Sequence, residues 1–130
     1  AAFDVLGIEE GEAKARFGQV IDMMRDPRRS TFAFVTYPES TPIVEAWRAV
    51  EELRTVGIET GLVVANQVLP PEECTTEYFC RRSLMQARYL EEMNDRFSAP
   101  VLKTPMLARE VKGLDVLVDL GEQIYGNGRR

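Results

Sequence analysis

The sequence predicts an α/β fold built on a small parallel sheet. Helix-like and strand-like segments alternate from one end of the chain to the other. Three short strands recur about 30 to 40 residues apart, room for one crossover helix each. The middle strand, Thr60-Gly61-Leu62-Val63-Val64-Ala65, is a nearly continuous apolar run, the pattern of a parallel strand covered on both faces. Alternation of this kind leads to right-handed βαβ crossovers.

In chain order, Ala13, Phe17, Val20, Ile21 and Met24 recur at helical steps and mark one face of a first helix. Asp26-Pro27 stops it, because the proline ring disfavours helical dihedrals in the residue before it. Thr31 to Tyr37 is short, aromatic and β-branched, and reads as a strand with Phe32, Phe34 and Val35 as candidates for burial. A Pro-Glu-Ser-Thr-Pro loop follows, with Thr41 as the expected N-cap of a second helix and Pro42 at its first position. Ile43, Ala46, Trp47, Val50 and Leu53 form that helix's apolar stripe, and Gly57 suits the residue just past its end.

After the strand at 60–65, Asn66-Gln67-Val68-Leu69-Pro70-Pro71 leads away towards a longer helix. On that helix Cys80, Leu84, Ala87, Leu90, Met93 and Phe97 are expected to face the core. Arg81, Arg82, Arg88, Glu91, Glu92 and Asp95 occupy the other side. A third strand is expected at 100–104, a loop at 105–112, and a last helix striped by Leu114, Leu117, Leu120 and Ile124. The final Gly-Asn-Gly-Arg-Arg reads as a flexible tail.

Composition narrows the functional classes. The 130 residues include 16 basic and 21 acidic side chains, a net charge of −5, so no basic footprint for nucleic acid is present. No apolar run approaches the length that spans a bilayer, and Ala1-Ala2-Phe3-Asp4 has none of the pattern of a signal peptide; the expectation is a soluble, cytoplasmic domain. The chain has no histidine, which removes His-dependent triads and His-ligated metals from it. Cys74 and Cys80 are too few for a disulfide framework and lack the C-x2-C spacing of thiolate metal sites, so they read as two reduced thiols, with Cys80 in the helix stripe.

Open α/β sheets bind ligands beyond the C-terminal ends of their strands. Here those segments are 37–41, 66–71 and 105–112. Neither GxxxxGK[ST] nor GxGxxG occurs, so the chain offers no recognisable phosphate cradle. Asn66 carries donor and acceptor in one plane, which could serve a purine edge, although asparagine before Pro70-Pro71 more commonly makes a turn. Pro105, Met106 and Leu107 could wall a flat ring or simply pack as a loop. Glu39 could be a working carboxylate or an exposed acid beside a helix N-terminus. A small α/β enzyme acting through Glu39 and Cys80 is a further reading.

Taken in order, several segments resemble one family. They are Asp26-Pro27, Thr31 to Glu39, Val64-Ala65-Asn66-Gln67, Cys80-Arg81-Arg82, Met85-Gln86-Ala87-Arg88-Tyr89-Leu90, and Pro105 to Leu114. The series is similar to the C-terminal part of the arsenical pump-driving ATPases, a family that includes the ATPases that target tail-anchored membrane proteins. The resemblance covers 17–125 and implies a three-layer fragment of a P-loop NTPase fold. By this likeness, residues 1–26 end a helical subdomain, 27–125 form the C-terminal part of the ATPase α/β domain, and 126–130 are the tail.

The resemblance further implies that Asn66 and Gln67 read the adenine, with Pro105, Met106, Leu107 and Val111 lining its pocket. Glu39 stands where a family glutamate reaches towards the nucleotide site across a homodimer interface. The segment from Phe3 to Met24 would be an exit helix that, in targeting members, helps form an apolar groove for client segments. ATP and magnesium are the implied cofactors, with the P-loop and catalytic aspartates N-terminal to anything present here. The implied partners are a second copy, a membrane pump subunit or a hydrophobic client. Zinc-linked members carry C-x2-C before the Met-Gln helix; here Glu77 stands at the first position and Cys80 at the second, leaving Cys80 as the sole candidate ligand. The alternative is a stand-alone dimerisation or client-binding module on a degenerate ATPase half-fold.

Overall fold

A computed structural model describes residues 10–126. The first nine residues, including the start of the expected exit helix, and the tail at 127–130 lie outside them. The described elements are α1 (Glu10–Arg25), β1 (Phe32–Thr36), α2 (Ser40–Thr55), β2 (Thr60–Val68), α3 (Glu77–Arg96), β3 (Val101–Pro105) and α4 (Leu114–Tyr125). A single 3₁₀ turn, Pro71–Glu73, separates β2 from α3.

The three strands form one parallel sheet in the order β1-β2-β3. Successive crossovers of one hand that step in one direction deliver their connecting helices to the same face. That face holds the core: Ile43 and Ala46 of α2, Val63 and Ala65 of β2, and Leu90, Met93 and Phe97 beside α3. Ile43, Val63 and Met93 are fully buried.

The opposite face is open in part. Ala33 and Val35 of β1 are exposed, Val35 at 64 %, and Leu62 and Val64 are half-buried. The expectation that β2 is covered on both faces, and that Val35 is buried, is therefore corrected. In the described residues, the apolar run reflects a sheet with one packed face and one partly bare one.

Helix ends follow local chemistry. α1 stops at Arg25, directly before Asp26-Pro27. The end of α2 closes with Ile58 N–H donating to the Leu53 carbonyl and Gly57 N–H to the Arg54 carbonyl, while Gly57 takes φ 80°. This is the paired C-terminal motif that favours glycine at that position, as the sequence predicts. The start of α2 differs: the helix begins at Ser40, with Glu39 rather than Thr41 as its flanking residue and no side-chain cap. Pro42 then sits within the first turn, where the N–H it lacks has no intrahelical partner in any case. On α3, Thr76 caps by accepting from Phe79 N–H at 3.4 Å.

Two apolar stripes are also corrected. On α3 the buried residues are Gln86, Leu90 and Met93, followed by Phe97, while Leu84 is 70 % exposed and Ala87 is exposed. On α4, Val116 is buried and Leu120 and Ile124 are half-buried, whereas Leu114 and Leu117 point to solvent. Each helix carries more apolar residues than one face can hold, and tertiary packing selects the phase.

Candidate functional site

The site lies beyond the C-terminal ends of β2 and β3. β2 extends past Ala65 through Asn66, Gln67 and Val68, longer than the expected 60–65. Its pairing with β3 runs Ala65 opposite Lys103 and then Val68 opposite Pro105, so β2 carries one surplus residue. The surplus falls at Asn66 and Gln67, and Gln67 has φ 58°, the left-handed region that a non-glycine residue seldom takes. This is a β-bulge, a device that bends a strand and re-aims its side chains beside functional sites.

The bulge is held from two sides. Thr104, on β3 and 7 % exposed, donates through Oγ1 to Asn66 Oδ1 at 2.7 Å. The amide of Asn66 is thereby oriented, with its Nδ2 left as the available donor. Gln86, on α3, accepts from Leu69 N–H at 2.8 Å and donates through Nε2 to the Gln67 carbonyl at 3.1 Å. Met106 N–H then donates to the Val68 carbonyl at 2.8 Å, setting the direction in which the chain leaves β3.

A cavity of about 230 Å³ opens here, and Asn66, Gln67, Pro105, Met106, Leu107 and Val111 all line it. These six are the residues that the family resemblance assigns to base recognition. Arg109, Glu110 and Leu120 complete the wall. The loop between β3 and α4 is pinned by an Arg109–Asp119 ion pair at 3.1 Å and ends at Gly113, whose φ of 89° suits glycine. The volume is below the range typical of sites for whole drug-sized ligands. The wall mixes apolar side chains with two carboxamides, Asn66 and Gln67, and the charged Arg109 and Glu110. The sequence contains no glycine-rich phosphate loop.

Glu39 is placed elsewhere. Its carboxylate accepts from Arg82 of α3 at 2.8 Å, with the two side chains 45 % and 37 % exposed. The pair borders a separate hollow with Pro42, Met85 and Tyr89. Arg82, expected on the solvent side, is thus turned towards α2.

Cys74 and Cys80 are joined in a disulfide, which corrects the reading of two reduced thiols. The turn at Pro71–Glu73 brings Cys74 back over the first turn of α3, within covalent reach of Cys80. So bonded, Cys80 offers no thiolate to a metal. Among the described residues no group of three or more acidic or cysteine side chains could hold a metal ion, and no helix is long and apolar enough to cross a membrane.

Sequence reasoning missed Thr104 and Gln86 as parts of the site. Gln86 carried a signal: it shares the helical phase of Leu90 and Met93, so a polar side chain there must satisfy itself indoors.

Comparison with known proteins gives a consistent result. The model of the family described as anion-transporting ATPase matches residues 8–126. A Halobacterium salinarum protein named "Putative arsenical pump-driving ATPase" is 43 % identical over 127 residues, covering 95 % of this chain and 20 % of its own length. "ATPase get3" of Neurospora crassa and "ATPase GET3" of Chaetomium globosum are each 35 % identical over 120 residues, covering 85 % of this chain and 33 % of their own lengths. The chain thus spans between a fifth and a third of the length of these three relatives.

Proposed function

The chain belongs to the anion-transporting ATPase family, and from that premise we propose that it is the C-terminal segment of an ATP-hydrolysing pump motor or targeting ATPase. In this reading it supplies the adenine pocket, through Asn66, Gln67, Pro105, Met106, Leu107 and Val111, while ATP's phosphates and magnesium are held by parts of the protein outside this segment. Glu39, steadied by Arg82, faces a second copy across a homodimer interface. Residues 1–26 close a helical subdomain, and 27–125 belong to the ATPase α/β domain. The protein works in the cytoplasm, against a membrane pump subunit or a hydrophobic client.

The observation that carries the reading is the convergence of those six residues, from two strand ends and one loop, on a single cavity. The names of the relatives divide between arsenical pumping and GET3, and both use the same nucleotide chemistry in this reading. The test is nucleotide binding by the intact protein. Asn66→Ala should weaken ATP and leave GTP nearly unchanged, because only the former base meets the missing amide. ATP binding indistinguishable from wild type would remove Asn66 from the site. The segment alone should not hydrolyse ATP, since it has no P-loop lysine to neutralise the transferred phosphoryl group.

One observation favours the second reading, a client-binding module. Phe17, Val20, Ile21 and Met23 of α1 are exposed together, an apolar row such as a hydrophobic segment would cover. Hydrophobic-peptide capture that persists in the segment by itself, with no effect of nucleotide on the intact protein, would support that alternative over the ATPase.

A further inference from the structure

We propose that Gln86 is the positioning residue of the base pocket, acting as a one-residue substitute for a neighbouring strand. The inference rests on the base-pocket reading above. A bulge takes backbone groups out of ladder register, and those groups need partners when buried. At this bulge the partners come from one side chain. The carboxamide of Gln86 has the same donor and acceptor as a peptide unit, and it accepts from Leu69 N–H and donates to the Gln67 carbonyl, the residues on either side of Val68.

Three features make the arrangement specific. Gln86 is 3 % exposed, so water cannot take its place at either bond. Gln67 stands at φ 58°, a conformation that a non-glycine residue keeps only where surrounding contacts hold it. Asn66, the residue proposed to meet the base, is the immediate neighbour of that strained position. A bulge that relaxed to regular pairing would shift the strand by one residue and turn the Asn66 amide to the other face of the sheet. Gln86 does not itself line the cavity but bonds to Gln67, which does, so its effect on a ligand is exerted through Gln67 and its neighbour Asn66.

The test uses the intact protein that carries this chain, with ATP and GTP as probes. Gln86→Met keeps the volume and removes both bonds. It should raise the KM for ATP by about thirtyfold, the loss of two neutral hydrogen bonds, with kcat within about twofold, because the hydrolytic machinery lies elsewhere. The preference for ATP over GTP should fall with it. If Gln86→Met does not fold, Gln86→Asn keeps a neutral carboxamide one methylene short of both partners and should raise KM by a similar factor. A folded variant at position 86 with unchanged KM and unchanged base preference overturns the proposal. If Asn66→Ala still disturbs ATP binding in that case, only the role of Gln86 falls. If Asn66→Ala is silent too, the base pocket falls and takes the proposal with it.

Discussion

Thr104→Val isolates one hydrogen bond at the proposed base site. The substitution exchanges a hydroxyl for a methyl on the same branched skeleton, so strand preference and volume are retained. The position is 7 % exposed, and the group removed is the one that donates to Asn66 Oδ1 at 2.7 Å. A neutral hydrogen bond of this kind contributes about 1 kcal/mol. Asn66 is half-buried, which lets water meet its released oxygen and keeps the loss near that figure rather than the larger one for a sealed orphan. Since 1.4 kcal/mol is a factor of ten, ATP should bind the intact variant about fivefold more weakly. The assay is titration with ATP and with GTP, repeated in Asn66→Ala and in the double variant. If Thr104 acts by orienting Asn66, the double variant should bind like Asn66→Ala alone, a non-additivity of about 1 kcal/mol. Strictly additive losses, or an ATP affinity within about twofold of wild type, would refute the reasoning.

Met93 is fully buried between α3 and the sheet, so Met93→Ala should cost about 2 to 5 kcal/mol in urea unfolding; a loss below about 1 kcal/mol would mean the α3 packing is wrong. Gly113 holds φ 89° at the head of α4 with nothing within 4 Å of where a Cβ would stand, so the penalty of Gly113→Ala is all backbone. It should cost about 1 to 3 kcal/mol and appear as faster amide exchange at the start of α4, with unchanged exchange in α4 counting against it.

The α/β class and the strand positions could be read from the sequence because local chemistry punctuates them. Pro27 ends α1, Gly57 ends α2, and β1 and β3 lie within one residue of where composition puts them. What was not legible depended on contacts. The phase of α3 was misassigned because hydrophobic periodicity passes over a glutamine, although Gln86 sits deeper than Leu84. The extension of β2 through Val68 was hidden because a bulge with Asn and Gln looks, in sequence, like a turn. The disulfide was invisible for a related reason: the spacing of Cys74 and Cys80 says nothing until Pro71–Glu73 folds one back on the other. Asn66 and Pro105 to Leu107 could be read from their chemistry as one option among others, whereas Gln67 and Val111 were legible only through family resemblance, since nothing in their own chemistry marks a ligand site.

The three-stranded sheet has a consequence for handling the molecule. β1 and β3 each keep one rim without a strand partner among the described residues, and Val35 lies bare beside the first of these rims. Unpaired backbone N–H and C=O groups along a flat apolar edge are a template on which another extended chain can nucleate. Produced on its own, this segment is thus open to pairing at the β1 margin, while the exposed Lys103 and the half-buried Pro105 blunt the β3 margin, and self-association through β1 would compete with its folding. A lysine in place of Val35 would put a charge on that margin without touching the core, the kind of gatekeeper that keeps such edges from growing into fibrils.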